Sequence, residues 1–233
     1  MPKLNSAGIS TQGTISVSVN GAVPPALAGK ETGGPGWIDP NHIAFQECGT
    51  SCLVESLDLT TGVITPLQST PPYGANFIVA GGGHWAWAIV GPAGTIYGDS
   101  YGHSAENWYP LACDDVSGHI AIIIDYHGDG GIGIWDGNTI VKIHDGWPED
   151  PQVSFRDGMF AARLGGQIHV FDTRSIPFQE KTLVKLPGQG CNYHRGYYLL
   201  GPAGAWYSPK NSDHSPYQSP QTDSILIRIS MSR

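Results

Sequence analysis

The side chains best suited to chemistry here are imidazoles. The chain carries nine histidines. His42, His84, His119 and His194 each stand at or just ahead of an apolar run. Imidazoles brought from several such places to one channel mouth would suit zinc or another transition metal. His84 and His194 are the candidate metal ligands, because they are equivalent in a repeat set out below. The alternative is that each histidine makes local hydrogen bonds where its strand begins. The acidic pairs Asp114-Asp115 and Glu149-Asp150 fall in polar stretches. Glycoside hydrolysis needs two carboxyl groups a few ångström apart, which spacing along a chain does not establish. The run Asp125 to Gly130 holds part of a calcium-loop pattern but lacks its later acidic positions and closing Glu. No G-x-S-x-G elbow, H-E-x-x-H motif or Walker loop is present. No catalytic residue is assigned and no cofactor is expected.

Seven aromatic residues are the candidate binding residues: Tyr73, Tyr101, Trp108, Tyr109, Trp147, Tyr193 and Tyr217. They fall in segments rich in Gly, Pro, Asn and Asp, at 68–76, 98–110, 145–152, 187–194 and 208–223, which read as loops. Aromatic faces beside Asn, Asp and His suit sugar rings or a protein partner. The same rings would equally serve as wedges between packed sheets.

The elements that must hold these residues are short strands. Gly83 to Tyr97 (GHWAWAIVGPAGTIY) returns as Tyr193 to Tyr207 (YHRGYYLLGPAGAWY), offset by 110 residues. Each copy reads as strand, tight Gly/Pro turn, strand. Similar hairpins are expected at His42–Leu59, His119–Trp135 and Met159–Phe171. Their turns begin at 49, 91, 128, 165 and 201, so the spacings are 42, 37, 37 and 36 residues. A strand-turn-strand unit repeated every ~40 residues is the pattern of a propeller, one four-stranded blade per unit. The expected fold is all-β: a β-propeller of about five four-stranded blades, incomplete or closed by its N- and C-terminal strands. Residues 1–36 are expected to form an extended arm or strand and residues 37–233 the propeller. Ile15–Val19 is expected to help close the ring, with docking on a neighbour as the alternative. The terminal run Ser224 to Ser230 is expected to pair within the chain.

Composition agrees with many turns and few helices. Apolar residues make up 40% of the 233 residues, charged residues only 14%, and there are 32 Gly and 18 Pro. Trp85 to Val90 and Ile120 to Ile124 do not alternate with polar residues, as expected of strands buried on both faces. Trp85, Trp87, Met159, Phe160, Tyr197 and Tyr198 are therefore expected in the core. The net charge of −8 and the lack of a Lys/Arg cluster argue against binding nucleic acid through phosphates. No apolar stretch is long enough for a transmembrane helix, and no signal peptide is read at the start. Cys48 and Cys52 flank the first hairpin turn. They read as reduced turn residues, with a disulfide in an oxidising setting as the alternative.

The unit from Trp37 to Leu67 carries a family resemblance. It opens Trp37-Ile38-Asp39-Pro40, continues with Ile43-Ala44-Phe45 and a Gly turn, and reaches Leu57-Asp58-Leu59-Thr60-Thr61-Gly62 before Pro66-Leu67. This resembles the blades of TolB-like and WD-like propellers. The resemblance implies a propeller fold, with Asp58 to Gly62 as the turn between third and fourth strands. It implies no activity, because propellers host many functions. With no catalytic motif, low charge and aromatic loops, the expected role is a non-catalytic structural or binding component of a larger assembly, such as a virion tail or tail fibre. Its partners would be proteins of that assembly or a surface glycan. The alternative is a carbohydrate-binding or carbohydrate-active propeller.

Overall fold

The computed structural model describes residues 4–9, 15–48, 52–67, 77–91, 94–125, 128, 130–148, 153–165, 167–185, 196–201, 204–209 and 227–229. Among them the only helical element is a single 3-10 turn at Pro25–Leu27. A hairpin comes first, β1 (Leu4–Ile9) with β2 (Ile15–Val19). The first four-stranded sheet follows: β3 (Thr32–Trp37), β4 (His42–Cys48), β5 (Cys52–Asp58) and β6 (Ile64–Pro66). The second is β7 (Phe77–Gly81), β8 (His84–Gly91), β9 (Gly94–Asp99) and β10 (Ser104–Glu106). The third is β11 (Tyr109–Cys113), β12 (Ile120–Ile124), β13 (Gly131–Trp135) and β14 (Ile140–Asp145). The fourth is β15 (Ser154–Arg156), β16 (Met159–Leu164), β17 (Gln167–Asp172) and β18 (Gln179–Lys185). The fifth is described through three strands, β19 (Gly196–Gly201), β20 (Gly204–Pro209) and β21 (Ile227–Ile229).

Each sheet is an antiparallel meander in sequence order. The five hairpins expected from the repeat are the pairs β4–β5, β8–β9, β12–β13, β16–β17 and β19–β20. Ala86 to Gly91 pair with Asp99 to Gly94, and Gly196 to Gly201 pair with Pro209 to Gly204, in the same register 110 residues later. The segment 98–110, read as a loop, contains all of β10 and the start of β11. A three-residue polar edge strand gives no periodic signal to read.

The chain divides into two compact units, residues 1–146 and 147–233. In the first, alternate side chains of β8 face opposite neighbours. Trp87 and Ile89 of β8 pack with Ile38, Ala44 and Val54 of the first sheet. Ala86 turns the other way, toward Ile120, Ile122 and Trp135 of the third. Trp85 is half-buried against the first of these clusters. This two-sided burial is why β8 lacks polar alternation. In the second unit Phe155, Met159, Phe160, Leu164, Ile168 and Phe171 are buried. The side chains of Tyr197 and Tyr198 lie outside the described residues.

Two readings are corrected. Cys48 and Cys52 are joined as a disulfide. They face each other across the β4–β5 pair, with Cα atoms 4.1 Å apart, so antiparallel pairing brings the thiols together. Ile15–Val19 pairs with β1 and not with the terminal strand, so it does not close the ring; β21 pairs within the chain as expected, with β20. Val17 is fully buried against Leu27, Ile43, Phe45 and Leu57, and its N–H donates to Thr32 Oγ1 at 2.7 Å. The hairpin thus covers the face of the first sheet turned away from the second, and that sheet begins at Thr32, before the Trp37 motif.

Candidate functional site

A turn chemistry repeats at one place in four sheets. Asp58, Asp99, Asp136 and Asp172 stand at the end of the third strand, 41, 37 and 36 residues apart. Asp58 Oδ1 accepts from Thr60 N–H at 2.7 Å and Thr60 Oγ1 at 2.6 Å, while Oδ2 accepts from Thr61 Oγ1 at 2.8 Å. Gly62 closes this turn at φ +74°, with its N–H donating to Asp58 O. Asp136 accepts from the N–H groups of Asn138 and Thr139, and Asp172 from the N–H and guanidinium of Arg174. Asp99 accepts from Tyr101 N–H and His103 N–H. These are Asx turns that lead each blade into its outermost strand.

Between the first two sheets, beside the first of these turns, lies a cleft of about 530 Å³. Asp39 and His42 come from the β3–β4 turn, and Asp58, Thr61 and Val63 from the β5–β6 turn. Gly83 and Trp85 come from the second sheet, and Ile38 and Leu67 complete the apolar wall. Gly83 N–H donates to Ile38 O at 2.7 Å and pins the two sheets at the cleft. His42 Nδ1 lies 2.9 Å from both oxygens of Asp39, and its Nε2 lies 4.0 Å from Asp58 Oδ2. Asp39 also accepts the N–H groups of Asn41 and His42. Burial raises the Asp39 pKa, but the Asn41 and His42 hydrogen bonds outweigh it and leave the pKa below its ordinary value. The Thr60 hydroxyl, then that of Thr61, hold Asp58 far below the usual carboxylate range. Both groups are therefore carboxylates at neutral pH. The buried Trp85 Nε1–H has no hydrogen-bond acceptor among the described residues. Ser56 Oγ donates to Thr65 O at 3.4 Å. Of the candidate aromatics among the described residues, Tyr101, Trp108, Tyr109 and Trp147, none lines this cleft.

Two of those aromatics gather between the second and third sheets. The Tyr101 ring stacks on His84, centroids 4.1 Å apart, and its hydroxyl donates to Gly118 O at 3.1 Å. A side chain at Gly118 would strike the His84 ring. Burial, then Cys113 and Asp99, push the Tyr101 hydroxyl up to about 12. Trp108 contacts Tyr97, His103 and Trp135. Asp99 Oδ2 ties the sheets together, accepting from Tyr97 Oη at 2.8 Å and Trp135 Nε1 at 2.9 Å. Tyr109 is half-buried opposite Ile123, and Trp147 is exposed. Tyr73, Tyr193, Tyr217 and His194 lie outside the described residues.

His84 Nδ1 sits 2.9 Å from Ser100 Oγ, and burial lowers its pKa. His42, His84 and His119 all begin or precede a second strand, but the strands differ in register. His42 stands opposite Asp58, whereas in the second sheet Ala86 stands opposite Asp99. Among the described residues no three His, Cys, Asp or Glu side chains form a metal-binding group.

No family model matches the chain, and no curated protein matches it. Solved structures do. The crystal structure of a nidogen/laminin complex aligns with a TM-score of 0.50 and 10% identity, over 89% of this chain and 83% of that one. TolB from Acinetobacter baumannii aligns with a TM-score of 0.44 and 14% identity, over 86% of this chain and 57% of its own. The acylaminoacyl peptidase of Pyrococcus horikoshii gives 0.35 and 11%, over 86% of this chain and 43% of its own. The chain is a β-propeller. The four-stranded meanders described above are its blades, as the repeat spacing implies. The nidogen likeness, at 10% identity, shows the fold alone. Among the described residues no helix is long and apolar enough to cross a membrane.

Proposed function

We propose that this propeller is a non-catalytic binding component of a larger assembly, with a virion tail or tail fibre as the setting its composition favours. The observation that carries the reading is the cleft between the first two blades. It is concave, of ligand size, walled by Trp85, Ile38 and Leu67, and edged by fixed polar groups. Its two acids are poorly suited to hydrolysis. A glycosidase needs one carboxyl held protonated by a raised pKa, whereas hydrogen bonds lower both Asp39 and Asp58. Ser56, the cleft's serine, donates to a backbone carbonyl.

The second reading is a propeller that binds or acts on carbohydrate. It is favoured by an indole wall facing carboxylates and hydroxyls, a pairing that suits a sugar's apolar face and polar edge. A glycan array run beside a reducing-sugar assay separates the two. The first reading expects no sugar release, and a photo-crosslinker at exposed Thr65 should trap a partner polypeptide of the assembly. Sugar release that is abolished by Asp58→Asn would overturn it.

A further inference from the structure

We infer that the cleft between the first two blades seats an arginine or lysine side chain of a partner polypeptide. The inference rests on the reading of the chain as a binding component and names what it binds. Asp39 and Asp58 bring two carboxylates to the cleft, and among the described residues no lysine or arginine lines it. Among the described residues His42 is the basic group between them. A cation would complete the charge there.

The apolar wall narrows the choice of cation. Ile38, Leu67 and Trp85 present hydrocarbon and an aromatic ring beside the acids. A metal ion gains nothing from such a wall. Arginine and lysine carry a methylene stem behind the charged head and bury the stem on apolar surface.

Charge on a larger scale points the same way. Residues 1–146 hold three lysines, no arginine and thirteen acidic residues. Lys30 pairs with Glu47 and Lys142 with Asp145. Residues 147–233 hold nine basic and seven acidic residues. The cleft therefore sits in the strongly acidic unit, whose field draws a basic partner and repels an acidic one.

The test uses the whole chain, labelled with nitrogen-15 and followed by NMR. The probes are a short Gly/Ser peptide with a central arginine, the same peptide with citrulline or glutamate in its place, and maltotetraose. The arginine peptide should shift the resonances of His42, Thr61 and the Trp85 indole. Citrulline should weaken binding roughly tenfold, and so should raising the salt from about 0.05 to about 0.5 M. Thr65→Lys, and separately Val63→Lys, should weaken it roughly tenfold; both positions are exposed, and neither supplies a hydrogen bond to the Asp39 or Asp58 carboxylate. Equal binding of the arginine and citrulline peptides overturns the inference. If the citrulline peptide moves the cleft resonances as far as the arginine peptide does, the binding-component reading stands and the basic ligand falls; if maltotetraose alone moves them, both give way to the carbohydrate reading. If no probe moves them at about 10 mM, both fall.

Discussion

Trp87 faces Gly98 across the β8–β9 pair, and a Cβ at Gly98 would lie 2.4 Å from its ring. The missing side chain lets the indole lie on the neighbouring strand. Trp87→Ala should cost ~3–5 kcal/mol by urea unfolding, as for other buried aromatics; a loss under about 1 kcal/mol would mean a surface role. Glu55 is a different kind of buried residue. Burial first, and then Glu47 beside it, push its carboxyl up to about 7, while Lys30 lowers Glu47. Between the ordinary glutamate value and about 7, the folded chain binds a proton that the unfolded chain has released. Stability from Glu55 is thus complete below the ordinary value and is lost as pH rises toward neutrality. Glu47 acts oppositely: its stabilisation is present above the ordinary value and lost as pH falls. Glu55→Gln should flatten the decline between about pH 4.5 and 7 in chemical unfolding followed across that range. An unchanged slope would assign it elsewhere.

The blades differ in what sequence alone makes legible. The central pair of each blade is long, apolar and closed by Gly or Pro, so β4–β5, β8–β9 and β12–β13 announce themselves. The edge strands β6, β10 and β15 are three residues each, too short to carry a period. The Asp turn was legible only at Asp58, inside the Leu57 to Gly62 motif. Asp99, Asp136 and Asp172 sit among other loop acids, and only their matching 41, 37 and 36-residue steps set them apart. The cleft could not be read from one blade, because Asp58 and Trp85 meet only once two blades pack. At the first hairpin, Cys48–Cys52 closes a very short loop. A chain-entropy argument gives such a loop ~2 kcal/mol. Cys48→Ser with Cys52→Ser should lower the unfolding free energy by about that amount, with or without reductant. Wild type should fall to the same level only when reduced.

For the whole molecule, the hairpin β1–β2 matters through the core it closes. Val17 and Leu27 are fully buried on Ile43, Phe45 and Leu57. Deleting residues 1–22 removes Val17 and opens that face of the first blade. The truncated chain should lose ~2–4 kcal/mol, the scale of a deleted core side chain, and aggregate in light scattering through the uncovered apolar surface. Equal stability and a monomeric profile would show that the hairpin is an appendage rather than part of the first blade's packing.

The aromatic group between the second and third blades also gives the molecule an optical signature. Trp108 and Trp135 come from successive blade segments and meet with ring centroids 5.8 Å apart at 68°. Two indoles so close and so skewed share their electronic excitation, which splits into a paired positive and negative band in circular dichroism. That couplet depends on the docking of two blades rather than on the strands within either. Its decay on heating, set against the far-ultraviolet strand signal, would time the parting of blades separately from the loss of the sheets themselves.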